Sequence, residues 1–139
     1  MKQFFTKINI KSLPGKLNEI TGQVKDSLKK QSINNGMLTL YIKHTSASLL
    51  IQENADPDVL HDLENFFNQL APQNLNLYKH KTEGSDDMPA HIKSALTCTH
   101  ISIPIINNKI ELGTWQGIFL FEHRNKSHSR IIQLHIIGE

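Results

Sequence analysis

The densest group of potentially reactive side chains lies between His80 and Ala95. This stretch of sixteen residues contains two histidines, three carboxylates and two lysines, together with one glycine and one proline. Pro89 fits the first turn of a helix, because its fixed φ suits that turn and its missing N–H would have no partner there. Asp86 or Asp87 can cap the free N–H groups. The pattern predicts either a polar loop that leads into a helix with an anion site at its start, or a capped surface helix.

Three histidines from separate segments could meet in one metal site. His44 ends a predicted strand on the face of three aliphatic residues, whereas His80 and His91 belong to the polar stretch. Neutral imidazoles beside carboxylates suit a divalent ion such as zinc, with an open position for substrate or water. Asp86 and Asp87 could instead hold magnesium or orient the histidines. We therefore predict a zinc or magnesium ion at His44, His80 and His91, with a buried, hydrogen-bonded His44 as the alternative.

Other polar side chains could bind a phosphorylated small molecule. Ser46 is one of three hydroxyls that follow the strand ending at His44. Lys93 lies on the predicted helix, and Arg124 could hold a phosphate with its bidentate fork. Glu122 and Arg124 lie on an apolar strand, where burial is costly unless the charges are paired or functional. Trp115 lies between two glycines, so it could stack on a substrate ring or fill the core.

Length and composition exclude several classes of protein. A chain of 139 residues predicts one domain, 1–139, that can bury a sizeable core. The net charge of +2 gives no strong electrostatic footprint for nucleic acid. No apolar run approaches the ~18 residues that a membrane span requires. The N-terminal residues lack the apolar core of a signal peptide, so we expect a cytoplasmic protein that binds a small molecule.

Hydrophobic periodicity predicts the elements that position these side chains. A spacing of three and four residues predicts three helices, and alternation or short apolar runs predict strands. The helices are expected over 13–28, 57–70 and 89–96, and the strands over 2–10, 37–44, 49–53, 75–78, 101–105, 118–124 and 130–137. Asn107 and Asn108 predict a hairpin turn. The sum predicts an α+β domain of mostly antiparallel sheet, sandwich-like, with about three helices.

The middle helix carries a more detailed expectation. Asp56 is predicted to cap it and Pro57 to occupy its first position. Glu64 is expected to face solvent. The apolar positions predict that the helix buries Val59, Leu60, Leu63, Phe66, Phe67 and Leu70.

Five motifs together resemble the YjbQ family, in order and over essentially the whole chain. They are His44–Ser48, Glu53–Pro57, Asp86–Lys93, Gly113–Gly117 and Glu122–Arg124. The resemblance implies a compact α+β domain that assembles as a homotrimer, with a polar, metal-capable pocket near the subunit contacts. It also implies a secondary thiamine-phosphate synthase activity. That reaction joins hydroxymethylpyrimidine diphosphate to hydroxyethylthiazole phosphate and releases pyrophosphate.

The family's polar positions are present here and imply roles for individual residues. Catalysis is expected of Asp87, His91 and Glu122. Glu122 could orient or deprotonate an amine, or only pair with Arg124, and the orienting role is favoured because an adjacent arginine keeps a carboxylate ionised and weakly basic. Substrate and phosphate binding are expected of Ser46, Asn54, Lys93, Trp115, Gln116 and Arg124. Two other functions use the same pocket: a metal-dependent hydrolase of an unknown small phosphorylated molecule, and a non-enzymatic trimeric binding protein.

Overall fold

Eight strands and three α-helices make up the chain in the computed structural model, which describes all residues from 1 to 139. The helices are α1 (Thr21–Lys29), α2 (Pro57–Leu70) and α3 (Asp87–Leu96). The strands are β1 (Lys2–Lys11), β2 (Leu17–Glu19), β3 (Gly36–Ile42), β4 (Ala47–Glu53), β5 (His100–Ile106), β6 (Lys109–Ile110), β7 (Gln116–Glu122) and β8 (Ser129–Gly138). No helix is both long and apolar enough to cross a membrane.

Two antiparallel sheets pack face to face around the main core. The larger sheet has the order β1-β8-β3-β5-β6, and the smaller has the order β2-β7-β4. Leu38 and Leu134 of the larger sheet share one buried cluster with Leu49 and Leu120 of the smaller sheet. This arrangement confirms the predicted single α+β domain, with mostly antiparallel, sandwich-like sheet and three helices.

The helix α2 covers the outer face of the smaller sheet. Leu60, Leu63 and Phe67 pack on Phe121 and its neighbours, and the rings of Phe67 and Phe121 meet edge to face at 5.5 Å. The helix has the predicted bounds. Its predicted cap is also confirmed, since the carboxylate of Asp56 accepts from the Asp58 N–H at 2.9 Å.

Two expectations about the faces of α2 were wrong. Phe66 and Leu70 are 57% and 51% exposed instead of buried, because they lie outside the group of side chains that packs on the smaller sheet. The other four predicted residues, Val59, Leu60, Leu63 and Phe67, are only half-buried. Glu64 is buried instead of exposed. Its carboxylate accepts from the Leu17 N–H at 3.0 Å and from the Lys16 ammonium at 2.7 Å. These two donors supply the hydrogen bonds that we had expected solvent to supply, so the carboxylate can be buried.

Two predicted elements take another form. The segment expected to be helical over 13–28 contains β2, in which Leu17 pairs with Phe121, and the helix begins only at Thr21. The three-and-four spacing was misleading because Leu17 is buried through the sheet and Leu13 is exposed. The predicted strand over 75–78 is a single 3₁₀ turn, Leu75–Leu77. By contrast, the hairpin at Asn107 and Asn108 is confirmed, with φ of 51° and 58°.

Candidate functional site

The start of α3 brings four potential metal ligands together. The side chains of His80, Glu83, Asp87 and His91, here called the His91 cluster, each offer one ligand atom, and these atoms lie within 4.8 Å of one another. Asp87 and His91 are one helical turn apart, so they share a face of α3. His80 and Glu83 reach that face from the preceding loop, which turns at Gly84 with φ of 108°.

Asp87 is the centre of this cluster. Its Oδ2 lies 2.6 Å from Nε2 of His80 and 3.3 Å from Nε2 of His91. The carboxyl group is almost completely buried, whereas both rings are more than a third exposed. Burial raises the pKa of Asp87, but the His80 hydrogen bond and the Arg124 charge outweigh it and hold the pKa below its ordinary value. The cluster therefore presents an ionised carboxylate between two accessible imidazoles.

Arg124 holds the acidic residues in place. Its Nη1 donates to the second oxygen of Asp87, its Nε donates to Asp86 at 3.0 Å, and its Nη2 donates to the carbonyl oxygen of Glu83 at 2.9 Å. The expected phosphate fork is thus largely occupied by protein acceptors. Asp86 makes no side-chain cap on α3, because its carboxylate accepts from Arg124 and from the Asn125 N–H instead. Arg124 acts here by positioning Asp87.

The donor set of the His91 cluster fits a divalent ion. Zinc–ligand bonds of about 2.0–2.1 Å in tetrahedral geometry separate neighbouring donor atoms by about 3.3 Å. The His91–Asp87 separation of 3.3 Å and the His80–Glu83 separation of 3.8 Å are close to that value. The 2.6 Å contact between His80 and Asp87 is a hydrogen bond, so an ion would replace its proton.

His44 does not join this cluster. Its Nε2 accepts the N–H of Ile131 at 2.9 Å, and none of its atoms is part of the metal-capable group. Within one chain the predicted meeting of His44 with His80 and His91 is therefore wrong, and the residues that lie beside these two histidines are Glu83 and Asp87. The alternative was a buried, hydrogen-bonded histidine; the hydrogen bond is confirmed, but His44 is only half-buried.

Glu122 lies in a separate, sealed ion-pair network. Its side chain is fully buried, and Arg130 donates to both of its oxygens, from Nε at 2.8 Å and from Nη2 at 2.5 Å. Ser12 donates its hydroxyl at 2.5 Å, and the backbone N–H of Arg124 donates at 3.0 Å. Burial raises the pKa of Glu122, but these hydrogen bonds bring it below its ordinary value. The expected pairing with the Arg124 side chain is wrong, because Arg130 occupies that carboxylate.

Lys93 of α3 is buried against α2 and is not available to a phosphate in this chain. Its ammonium donates to the side-chain oxygen of Asn68 on α2 at 2.7 Å. Burial lowers its pKa, and the Asp86 charge only partly opposes that shift. Its spacing on α3 placed it correctly on the helix, but the sequence pattern did not show that α2 closes over it.

His123 is a buried titratable group that the sequence analysis missed. Its Nε2 lies 2.9 Å from the hydroxyl of Ser48, and its Nδ1 has no hydrogen-bond partner. Burial lowers its pKa to about 3, helped by the nearby charge of Lys93. The signal was available, since His123 alternates with Phe119 and Phe121 on the apolar face of its strand.

Three predicted substrate residues lie at the opposite end of the smaller sheet. Gln116 begins β7 and Glu122 ends it, so the two are separated by about 20 Å along the strand. Asn54 donates to the Glu19 carboxylate at 2.8 Å, and Gln116 accepts from the Gly113 N–H at 2.7 Å. Trp115 is 63% exposed and is therefore not a core residue. Within one chain these three residues do not meet the His91 cluster.

A polar cavity adjoins the His91 cluster. It has a volume of about 320 Å³, and no hydrophobic residue lines it. Its walls, which define what we call the Arg124 cavity, are Glu83, Gly84, Ser85, Asp86, Arg124, Asn125, Lys126 and His128. Glu83 belongs to both features, and Arg124 bonds to Asp87, so the cavity and the cluster are contiguous.

Known proteins resemble the chain over most of its length. A family model described as UPF0047 protein YjbQ-like matches residues 6–139. The UPF0047 protein sll1880 of Synechocystis sp. is 51% identical over 123 residues, which are 88% of this chain and 84% of that protein. The UPF0047 protein YjbQ of Escherichia coli is 47% identical over 122 residues, which are 88% of this chain and 86% of that protein.

Solved structures share the fold. A YjbQ/UPF0047 protein of Clostridium acetobutylicum, described as uncharacterized, is 34% identical with a TM-score of 0.86, over 95% of this chain and 99% of that one. A protein of Sulfolobus solfataricus, described as of unknown function, is 25% identical with a TM-score of 0.89, over 99% of each chain. These descriptions state no activity, so the function has to be argued from the geometry of the site.

Proposed function

The chain belongs to the UPF0047 protein YjbQ-like family, and we propose that it acts as a transferase of the thiamine-phosphate synthase type. In this reaction a ring nitrogen of hydroxyethylthiazole phosphate forms a bond to the methylene carbon of hydroxymethylpyrimidine diphosphate. The bond from that carbon to the diphosphate oxygen breaks, and pyrophosphate leaves. We regard this as a secondary activity, and its reactants belong to the class of small phosphorylated molecules that the site suits.

One observation carries the proposal: an accessible, metal-capable cluster is contiguous with a wholly polar cavity. Displacement of pyrophosphate develops negative charge on the leaving oxygens, and groups already aimed at those oxygens stabilise the transition state. The cavity offers the Lys126 ammonium as a donor, together with the second N–H of the Asn125 side-chain amide, whose first donates to Gln73 at 2.8 Å. Nδ1 of His128 donates to the Lys126 carbonyl at 2.8 Å, so its Nε2 can donate to a phosphate oxygen only when the ring is protonated.

The protein residues divide the work between binding and positioning. His80, Glu83, Asp87 and His91 would hold a zinc or magnesium ion, which when bound supplies positive charge to the phosphate oxygens. Arg124 fixes the Asp87 carboxylate through one oxygen and leaves the other toward the histidines. This arrangement makes Asp87 and His91 site residues and assigns Glu122 to the support of the fold.

The reaction itself provides the test. Purified protein is incubated with both precursors and with zinc, magnesium or EDTA, and thiamine phosphate is measured by chromatography. We expect product with a divalent ion and none with EDTA, and we expect His91→Ala to lower the rate by at least roughly 100-fold, since it removes a ligand. His61→Ala, which changes an exposed histidine on α2, is the matched control. Equal rates in wild type and His91→Ala would exclude the cluster as the site.

We also propose a homotrimer. Phe66 and Leu70 are exposed on α2, and Phe5 and Tyr41 are exposed on the free face of the larger sheet. Such apolar faces are typical of surfaces that another subunit covers. A trimer would also give the distant Trp115 a route to the site of a neighbouring subunit. Light scattering after size exclusion should give three times the chain mass of 15.8 kDa, and a monomer mass would contradict this assembly.

A metal-dependent hydrolase is the second candidate, and the exposure of the cluster favours it. Nε2 of both His80 and His91 belongs to rings that are more than a third exposed, so water as well as substrate can reach them. The mark of this function would be fast turnover of an unrelated phosphoester. A panel of phosphomonoesters is therefore tested beside the synthase assay. Hydrolysis of one of them at the rate of an ordinary enzyme, with slow synthesis of thiamine phosphate, would favour the hydrolase over the transferase.

A further inference from the structure

A second polar cavity lies at the end of β3, apart from the residues of the His91 cluster. It has a volume of about 590 Å³ and is lined by Tyr41, Ile42, Lys43, His44, Thr45, Ser46 and Thr99. We call it the His44 cavity. No carboxylate lines it, whereas the Arg124 cavity contains two. Its only full charge is the Lys43 ammonium, so the lining favours an anion over a cation.

The backbone adds donors to this lining. The N–H groups of His44, Thr45 and Ser46 donate to no acceptor within the chain, although those of the neighbouring Ile42 and Lys43 both do. A backbone N–H group without an acceptor in the chain is a donor that a bound anion can use. Lys43 itself takes part in no ion pair. Three adjacent amides and an unpaired ammonium therefore belong to the same cavity.

Hydrogen bonds leave the His44 ring and the Ser46 hydroxyl of the lining with a proton to donate. Nε2 of His44 accepts the Ile131 N–H, so in the neutral ring the proton is on Nδ1, which has no partner in the chain. The Ser46 oxygen accepts from Nη2 of Arg130 at 3.0 Å, which leaves its own proton free to donate. Arg130 also separates the cavity from Glu122, because it binds both oxygens of that carboxylate.

We infer that the His44 cavity binds a phosphate group, and that it takes the phosphate of the second reactant while the first occupies the Arg124 cavity. The first part stands on the donor set alone. The second part rests on the proposed transferase, which needs two phosphorylated molecules at one time. Glu122 and Arg130 lie between the two cavities: Arg130 bonds to Ser46, and His128 of the other cavity lies 3.9 Å from Glu122. The Glu122–Arg130 ion pair therefore lies between the His44 cavity and the Arg124 cavity.

Phosphate binding can be measured without catalysis. Isotope-labelled protein in EDTA is titrated with inorganic phosphate at constant ionic strength, and amide and imidazole signals are followed by NMR. We expect saturable shifts at the His44, Thr45 and Ser46 amides and at Nδ1 of His44. Lys43→Gln should weaken binding roughly tenfold, since it removes a charged donor. Lys30→Gln, which changes an exposed lysine at the end of α1, should bind as tightly as the wild type.

The outcomes separate this site from the proposed reaction. Shifts confined to 124–128, or unchanged affinity in Lys43→Gln, would overturn the His44 cavity as a phosphate site. Hydroxyethylthiazole phosphate should bind there more tightly than pyrophosphate, and the reverse order would overturn its assignment to the second reactant. Because the titration contains neither metal nor both precursors, a protein that binds phosphate here but forms no thiamine phosphate would refute only the transferase.

Discussion

Asp87 and Glu122 are both buried carboxylates held by an arginine, yet they differ in what is left for a ligand. Both oxygens of Glu122 are occupied, by Arg130, Ser12 and a backbone N–H. Asp87 gives one oxygen to Arg124, and its other oxygen faces two accessible histidines. Burial and a lowered pKa are common to the two groups. An oxygen that faces two exposed histidines, and not the burial, therefore distinguishes a candidate reactive acid from a structural one.

The largest effect is expected on the free energy of unfolding, when the buried ion pair of Glu122 and Arg130 is broken. Glu122→Gln leaves the buried guanidinium of Arg130 without its counter-charge, and breaking a buried pair in this way costs about 3–5 kcal/mol. Urea unfolding at pH 7 measures the change. The exposed Glu111→Gln is the matched control and should lie within about 0.5 kcal/mol of the wild type. A Glu122→Gln protein as stable as this control would show that the two acids do not differ as we describe.

The second largest effect is expected on the rate of product formation, when Asp87 of the His91 cluster is changed. Asp87→Asn keeps the shape of the side chain but removes the charge between His80 and His91. We expect product formation to fall about 100-fold, which corresponds to about 2.7 kcal/mol of transition-state stabilisation. The exposed Asp62→Asn on α2 should retain full activity. The assay is run at a temperature at which Glu122→Gln is still folded. If Glu122→Gln were inactive there while Asp87→Asn retained its activity, the roles of the two acids would have to be exchanged.

A third prediction concerns His123, a buried titratable group that takes part in no ion pair. The pKa of His123 is lowered to about 3, whereas the unfolded value is near 6.5. Between these values the unfolded chain binds a proton that the folded chain does not, so stability falls as the pH falls from about 6.5 towards 3. The slope is about 1.4 kcal/mol per pH unit, or about 2 kcal/mol between pH 6.5 and 5, where most carboxylates are still ionised.

Denaturant unfolding at pH 5 and pH 7 checks this slope. His123→Gln should lose most of the difference between the two pH values, and the exposed His100→Gln should keep it. A smaller slope in the same direction is expected to remain, because burial and Arg130 also lower the pKa of His44. A His123→Gln protein with an unchanged slope would assign the pH dependence to other groups.

The smallest effect is expected at a carboxylate of intermediate character. Glu64 is buried, but its partner Lys16 is half exposed, and the 2.7 Å ion pair between them is open to solvent on one side. Lys16→Gln should therefore cost less than about 1 kcal/mol, since solvent screens such pairs and the Leu17 N–H still donates to Glu64. Urea unfolding gives the value. A cost as large as that of Glu122→Gln would show that exposure of the cation does not matter here.

The sequence predicted the elements well where local signals and burial agreed. Asp56 and Pro57 gave the start of α2, and Asn107 and Asn108 gave the hairpin. The sequence failed where burial came from a distant element. Leu17 has helical spacing but pairs in a sheet, because its partner Phe121 lies far along the chain.

The candidate site was predicted in part for the same reason. His80, Asp87 and His91 lie within twelve residues, so loop and helix geometry alone could bring them together. The partners of Glu122 and Arg124 depend on how two strands and a loop meet, and no spacing reports that. In the structure Arg130 forms an ion pair with Glu122, and Arg124 forms one with Asp87. The sequence showed that these charged residues require partners if they are buried, but which partner each one has depends on the tertiary structure.

The most direct test of the His91 cluster as a metal site is the amount of zinc that the folded protein binds. Wild type, His44→Ala and His91→Ala are stripped with chelator, and zinc binding is then measured by calorimetry and elemental analysis. We predict one ion per chain for wild type and for His44→Ala, with release of a proton on binding, and loss of that ion in His91→Ala. Zinc retained by His91→Ala and lost from His44→Ala, or no zinc bound by the wild type, would contradict the assignment.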